Sequence, residues 1–188
     1  MISAPPIYLD NNATAPLRAA AIAAMQDAMG PPANPSSIHG FGRAARLRVE
    51  DARQAVAGLA GCSASEVVFT SGGTESNNLV LAQYDHVITS AIEHDSVRHA
   101  HDRCQMIAVD ENGIIDLNQL AATLSMIDDA VKPNTIISVM AANNETGVLQ
   151  PIDQIAEMAR SSNLAFHSDM VQVFGKSHLD FTNSEISY

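Results

Sequence analysis

The fold of this chain is decided by the stretch VVFTSGGTESNN at residues 67–78. Its β-branched apolar run predicts a buried strand, the two glycines predict a tight turn, and the polar residues after them predict a helix start. A helix that begins in a glycine turn presents unpaired N–H groups and a partial positive charge, which suit a phosphate. The simpler alternative is an N-cap, in which Thr74 with Asn77 or Glu75 only starts the helix. The nucleoside-triphosphate pattern G-x-x-x-x-G-K-[ST] is absent from the sequence.

The rest of the chain alternates between apolar runs and helical patterns. Strands are expected at 67–70, 87–91, 106–109, 135–141 and 164–166. Helices are expected at 17–29 and 43–59 before the glycine turn, and near 75–84, 95–102, 116–127 and 151–162 after it. Such alternation predicts an α/β fold with three layers, in which a mostly parallel sheet carries helices on both faces.

Composition narrows the class of protein. The chain has 188 residues, 46% of them hydrophobic and 16% charged, which is typical of a globular domain. Its net charge of -11 argues against nucleic acid or an anionic membrane as a partner. No apolar run reaches membrane-spanning length, and the first residues, MISAPPIYLDNNAT, lack the basic and apolar regions of a secretory signal. We therefore expect a cytoplasmic protein.

Polar side chains follow the predicted strands, at the edge where open α/β sheets bind their ligands. They lie at 71–74 after the first strand, at Glu93 and His94 after the second, at 143–145 after the fourth, and at His167, Asp169 and Gln172 after the last. A buried carboxylate such as Asp169 needs a partner: the pyridine nitrogen of pyridoxal phosphate is one candidate, and an arginine or a helix terminus is another. The imidazole of His94 is suited to stacking on an aromatic ring or to relaying protons near neutral pH.

Two other patterns carry less weight. The stretch EHDSVRHAHDRC at 93–104 holds three histidines and a cysteine, but its spacing fits no zinc motif, and we expect no metal site there. The stretch GFGRAA at 40–45 matches the dinucleotide fingerprint G-x-G-x-x-A, but it follows a loop where a strand is required. The two cysteines, Cys62 and Cys104, make neither a disulfide framework nor a C-x-x-C pair.

Six ordered motifs together resemble a known family. They are YLDNNATAP at 8–16, NPSSIHGFGRAA at 34–45, VVFTSGGTESNNL at 67–79, EHDSV at 93–97, ANNETGVLQPI at 142–152 and HSDMVQVFGK at 167–176. They resemble the cysteine desulfurases of the NifS/IscS type, which belong to the class V aminotransferase group of pyridoxal-phosphate enzymes. The resemblance spans essentially the whole chain. It implies the large domain of the fold type I pyridoxal-phosphate transferases, here incomplete.

The resemblance also implies roles for individual residues. Gly73 and Thr74 would bind the phosphate of pyridoxal 5'-phosphate. His94, the candidate catalytic residue, would stack over the pyridine ring, and Asp169 would pair with the ring nitrogen and keep it protonated. Asn144 and Gln172 would form hydrogen bonds near the phenolic oxygen of the ring. The last motif departs from the family at Ser168, Met170 and Val173, while the two polar ligands within it are retained.

The same resemblance implies that some functional groups of the family lie beyond this sequence. In the family, the lysine that forms the Schiff base follows in an S-x-H-K stretch, and the persulfide cysteine and the arginine that grips the substrate carboxylate come later. Lys176, Cys62 and Cys104 do not match those positions. We therefore expect an N-terminal arm at 1–15 and a cofactor-binding large domain at 16–188 that stops before the Schiff-base lysine. We expect the 188 residues alone to be inactive.

The function that the resemblance implies is the conversion of L-cysteine to L-alanine, with the sulfur passed to an enzyme cysteine as a persulfide for iron–sulfur assembly or thiolation. The implied partners are cysteine as substrate, a second copy of the chain in a homodimer, and a sulfur-acceptor protein. Two alternatives stay open. One is another class V enzyme, such as a selenocysteine lyase, and the other is a non-catalytic domain that dimerises or binds a partner.

Overall fold

The structure is a computed structural model that describes residues 6–30, 32–100, 104–177 and 186–188. The chain divides into two compact units: Met1–Leu59 with Ser63–Val67 form the first, and Ala60–Cys62 with Val68–Tyr188 form the second. The predicted division into an arm at 1–15 and a large domain at 16–188 stays a prediction. In the described part of the chain, no helix combines the length and the apolar character needed to cross a membrane.

The first unit is built on two helices, α1 (Ala19–Ala28) and α2 (Gly40–Ala60), followed by a short 3-10 turn at Ala64–Glu66. Helix α2 begins three residues earlier than predicted, so the GFGRAA stretch is its first part. A Cβ atom at Gly42 would lie 2.2 Å from the carbonyl oxygen of Ser37, which explains the second glycine as a close packing contact. A turn precedes this helix where a dinucleotide site requires a strand, and the fingerprint match is therefore accidental.

The second unit contains a sheet of four strands among the described residues: β1 (His86–Ser90), β2 (Cys104–Ile107), β3 (Thr135–Ser138) and β4 (Ala165–His167). The strands are all parallel and lie in the order β2-β1-β3-β4. Beyond β3, the backbone continues beside the chain that follows β4, since Ala141 N donates to Asp169 O at 3.0 Å. On the far side of β4, Ser187 N donates to Phe166 O at 2.7 Å, so residues 186–188 run along its outer edge.

Successive side chains of the strands enter two separate apolar clusters. Ile88, Ile137 and Phe166 face helices α5 (Leu117–Ser125) and α6 (Ile152–Ser161), where Leu120 and Ile155 are fully buried. Their neighbours Val87 and Ile136 point to the opposite face and pack with residues of α3 (Gly73–Leu81) and α4 (Asp95–Arg98). The alternation follows from the two-residue period of a strand, and it confirms the predicted three-layer α/β fold.

One predicted strand is wrong. Residues 67–70 are not assigned to any strand, and the side chain of Val68 is 69% exposed. An apolar run supplies side chains suited to a sheet, but a strand also requires a regular ladder of hydrogen bonds with a neighbour, which a local pattern does not reveal. The other strands and helices lie within a few residues of their predicted positions, except α4. That helix ends at Arg98 rather than at residue 102, and part of its predicted range lies outside the described residues.

Candidate functional site

An open cleft of about 180 Å³ lies at the carboxyl edge of the sheet. The start of α3 and the segments that follow β1, β3 and β4 contribute its walls. All six residues predicted from the sequence line this one cleft: Gly73, Thr74, His94, Asn144, Asp169 and Gln172. Parallel strands bring their carboxyl ends to the same edge, which is why His94, Asn144 and Asp169 meet there from distant parts of the chain.

The glycine turn is held in place by its own side chains. Thr70 Oγ1 and Ser76 Oγ are 2.7 Å apart, and Ser71 N donates to the carboxylate of Glu75 at 2.6 Å. The hydrogen bonds from Ser71 lower the pKa of Glu75. A Cβ atom at Gly73 would lie 3.0 Å from Cγ2 of Val171, so a glycine keeps this wall of the cleft open. Because α3 begins at Gly73, the first N–H groups of the helix lie at the cleft.

Asp169 is the acidic residue of the cleft wall. Its Oδ1 accepts a hydrogen bond from Val171 N at 3.0 Å, and its Oδ2 accepts one from Asn77 Nδ2 at 2.8 Å. Both oxygens therefore act as acceptors, and each has a further lone pair for another donor. The carboxylate is half-buried at the end of the chain segment that follows β4.

His94 follows β1 and caps the short helix α4. Its Nδ1 accepts from Ser96 N at 3.1 Å and lies 2.8 Å from Ser96 Oγ. These two contacts fix the direction of the ring, whose side chain lines the cleft.

Asn144 is presented by a turn that Asn143 builds. Asn143 Oδ1 accepts from Glu145 N at 3.0 Å and from Thr146 N at 2.8 Å, and its Nδ2 donates to Ile92 O at 3.0 Å. This buried amide thus ties the loop after β3 to the loop after β1 and leaves Asn144 at the cleft. Of the predicted polar cluster at 143–145, Asn143 is a structural residue and only Asn144 lines the cleft.

Gln172 lies in the turn after Asp169, and Lys176 Nζ donates to its Oε1 at 2.7 Å. The ammonium group of Lys176 thereby orients the amide group of Gln172. Lys176 itself does not line the cleft.

Two titratable residues are buried beneath the cleft. Burial raises the pKa of Glu93 to about 7; the charge of Asp169 acts in the same direction, and hydrogen bonds from Ser90 and Met140 act against it. Burial also lowers the pKa of His167 to about 4, with Asp169 opposing the change. Ser90 Oγ lies 2.5 Å from Glu93 Oε1, and Ser138 Oγ lies 2.8 Å from His167 Nδ1. Burial therefore favours the neutral form of both groups, the imidazole of His167 and the carboxyl of Glu93.

The described residues contain no group of three His, Cys, Asp or Glu side chains placed to hold a metal ion. His101, one of the histidines considered in the sequence, lies outside the described part of the chain.

Sequence reasoning missed two polar residues of the site, Asn77 and Ser96. Asn77 is 3% exposed and donates hydrogen bonds to both Asp169 and Ser96, and Ser96 lines the cleft beside His94. Spacing alone gave no signal for Asn77, which follows Thr74 by three positions, because its burial on α3 is seen only in the structure.

Comparisons with known proteins agree with this architecture. The cysteine desulfurase IscS of Dictyoglomus turgidum is 36% identical over 185 residues, which are 90% of this chain and 45% of that protein. The mitochondrial cysteine desulfurase of Saccharomyces cerevisiae is 38% identical over 200 residues, which are 96% of this chain and 39% of that protein. The crystal structure of a NifS-like protein from Rickettsia africae superposes with a TM-score of 0.90 at 33% identity, over 96% of this chain and 52% of that one.

The fold and its cleft define a three-layer α/β protein with a ligand site at the carboxyl edge of a parallel sheet. Residues 7–187 match the aminotransferase class-V family, and the chain belongs to that family. Class V aminotransferases and cysteine desulfurases are pyridoxal-phosphate enzymes. The chain spans about half the length of the curated relatives that it matches.

Proposed function

We propose that this chain supplies the cofactor-binding part of a pyridoxal-phosphate-dependent cysteine desulfurase, which converts L-cysteine to L-alanine and passes on the sulfur as a persulfide. The observation that carries the proposal is the meeting of Gly73, Thr74, His94 and Asp169 in one cleft, from three separate segments of the chain. The names of the relatives, several of them cysteine desulfurases, favour this activity over that of a selenocysteine lyase.

The residues present fit pyridoxal phosphate at both of its polar ends. The start of α3 offers backbone N–H groups and the hydroxyl of Thr74 to the phosphate, and Gly73 lets the ligand approach the backbone. The side chain of Asp169 suits a protonated pyridine nitrogen, because its oxygens have acceptor positions beyond the two that Asn77 and Val171 use. When bound, the cofactor supplies an electron sink for bond cleavage at the substrate.

The other cleft residues would orient and cover the ring. His94 would stack on the pyridine face and exchange a proton near it through Nε2, because its Nδ1 is occupied by Ser96. Asn144 and Gln172 offer amide groups for the phenolic oxygen of the ring. Lys176 has a supporting part here, in that its ammonium group holds Gln172.

The remaining parts of the proposal concern partners and location. We place cysteine as the substrate, a second copy of the chain as the dimer partner and a sulfur-acceptor protein downstream. We also propose a cytoplasmic location, which bacterial relatives support, while the yeast relative is mitochondrial.

The proposal is tested by titrating the chain with pyridoxal phosphate and with pyridoxal, and following the visible absorbance of each. The wild-type chain is expected to bind the phosphorylated form more tightly. Thr74→Ala should reduce that preference by about tenfold, since a hydrogen bond to a charged group is lost. Asp169→Ala should instead shift the absorbance toward that of an unprotonated pyridine.

The matched control is Asp129→Ala, which removes the charge of an aspartate whose side chain is 91% exposed. It should bind both ligands as the wild type does. Equal affinity for pyridoxal and its phosphate, or a spectrum that Asp169→Ala leaves unchanged, would contradict the proposed function.

A further inference from the structure

A hydrogen-bonded bridge links Asp169 to His94 through two residues that the sequence did not suggest. Asn77 Nδ2 donates to Asp169 Oδ2 at 2.8 Å and to Ser96 Oγ at 2.9 Å. Ser96 Oγ in turn lies 2.8 Å from His94 Nδ1. The bridge therefore joins helix α3, helix α4 and the segment after β4 at one wall of the cleft.

Counting donors gives each hydrogen bond of the bridge a direction. The amide of Asn77 has two N–H groups, and its bonds to Asp169 and Ser96 use both. Ser96 Oγ accepts one of them, so its single hydrogen is left to donate toward His94 Nδ1. The backbone N–H of Ser96 points at the same ring nitrogen from 3.1 Å. Two donors aimed at Nδ1 require a lone pair there, and the proton of the neutral ring must then be on Nε2.

The burial of Asn77 argues that the bridge has a purpose beyond helix packing. Asn77 is 3% exposed on α3, whose other buried side chain is Leu81. An apolar residue is the ordinary choice at such a position, because a buried amide costs stability unless it is fully hydrogen-bonded. An N-cap by His94 needs only the backbone bond from Ser96, so it does not account for the contact with Asn77.

We propose that Asn77 and Ser96 are positioning residues that fix the neutral ring of His94 with its proton on Nε2 while holding the carboxylate of Asp169. That this serves pyridoxal phosphate rests on the proposed function, whereas the tautomer itself does not. The two groups that would contact the face and the nitrogen of the pyridine ring are thus oriented by one shared pair of side chains. A proton on Nε2 is available for transfer at the open side of the ring.

The tautomer is measured directly by nitrogen NMR of the full 188-residue chain labelled with ¹⁵N-histidine, at about pH 8.5, where free imidazole is neutral. In the wild type, the Nε2–H form of His94 should exceed the Nδ1–H form by about tenfold or more, since two donors face Nδ1. Ser96→Ala should lower that ratio about fivefold, because only the backbone donor is left. Ser96→Thr, which keeps the hydroxyl, should restore it.

Two results overturn the inference. One is a wild-type ring that carries its proton on Nδ1, which needs no variant to observe. The other is a ratio that is the same in Ser96→Ala as in the wild type. Asn118→Ala removes an exposed asparagine on α5 and serves as the control for labelling and fold, and its His94 signals should match those of the wild type.

The part of the inference that concerns the cofactor is tested by the affinity for pyridoxal phosphate of Asn77→Leu, Ser96→Ala and the double variant. Members of one network are expected to be non-additive, so the double variant should lose little more than Asn77→Leu alone, about tenfold. If the affinity losses of the two single variants multiply in the double variant, Asn77 and Ser96 act independently, and the proposed bridge is overturned. Failure of every form, wild type included, to bind the cofactor overturns the proposed function, and the NMR ratio then decides the tautomer by itself.

Discussion

Replacing Glu93 with glutamine should change how the stability of this chain depends on pH. Glu93 is 4% exposed, and its two carboxylate oxygens accept from Met140 N at 3.0 and 3.1 Å. Burial raises its pKa from 4.5 to about 7. Glutamine keeps one oxygen for the Met140 and Ser90 donors, but it cannot ionise.

The sign and the size of the effect follow from proton linkage. The folded chain keeps the proton of Glu93 up to about pH 7, whereas the unfolded chain releases it near pH 4.5. Unfolding therefore releases a proton between these values, and the stabilising contribution of Glu93 is full below pH 4.5 and lost as the pH rises toward 7. At 1.36 kcal/mol for each pKa unit, the loss amounts to about 3 kcal/mol. Glu93→Gln lacks this loss, so its free energy of unfolding should rise relative to the wild type by that amount across the same window.

Urea unfolding of both proteins at half-unit pH steps measures the difference, and only its pH dependence is informative, because the altered hydrogen bonding shifts the whole curve by a constant. Glu111→Gln, which removes an exposed carboxyl in the turn at 110–113, controls for the change in net charge. If the free energies of Glu93→Gln and the wild type ran parallel between pH 4.5 and 7.5, the carboxyl would ionise alike in both states, and the reasoning would be refuted.

His167→Gln should show the opposite dependence of stability on pH. Burial lowers the pKa of His167 from 6.5 to about 4. The stabilising contribution of the neutral imidazole is therefore full above pH 6.5 and is lost as the pH falls toward 4. Relative to the wild type, the free energy of unfolding of the variant should therefore rise by about 3 kcal/mol as the pH falls over that range. Urea unfolding at several pH values measures this difference. A difference that does not change with pH would contradict the prediction. Gly73→Ala should couple to Val171→Ala, since the added Cβ would lie 3.0 Å from a Val171 methyl group. A double-mutant cycle by thermal or urea unfolding should give a favourable interaction of about 1 kcal/mol, and additive effects would show that the wall has room for the methyl group.

The sheet could be predicted because β1, β3 and β4 are almost fully buried and helices such as α5 and α6 bury one face. The apolar runs at 87–91 and 135–141 predict core strands, and parallel strands deliver their polar followers to one edge. The gathering of His94, Asn144 and Asp169 in one cleft follows from that topology, whereas Thr74 reaches the cleft through the start of α3.

The sequence could not show which distant segments pair with each other or which distant side chains are in contact. The run at 67–70 has the composition of a strand, but a strand forms only when it pairs with a neighbour. In the described part of the chain, these residues belong to none of the four strands. Asn77 was missed for a related reason. Its importance lies in two contacts with residues 19 and 92 positions away, and no local pattern distinguishes it from its exposed neighbour Asn78.

The two apolar clusters that flank the sheet have a practical consequence for engineering. The packing of Leu120 and Leu124 from α5 lies on one side of the β-layer, while Leu81 and Val97, which support the helices at the cleft, lie on the other. The sheet thus acts as a partition, and substitutions distant from each other with no common partner add independently. Substitutions in α5 that raise the thermal stability should therefore keep their effect when they are combined with substitutions on the other face of the sheet.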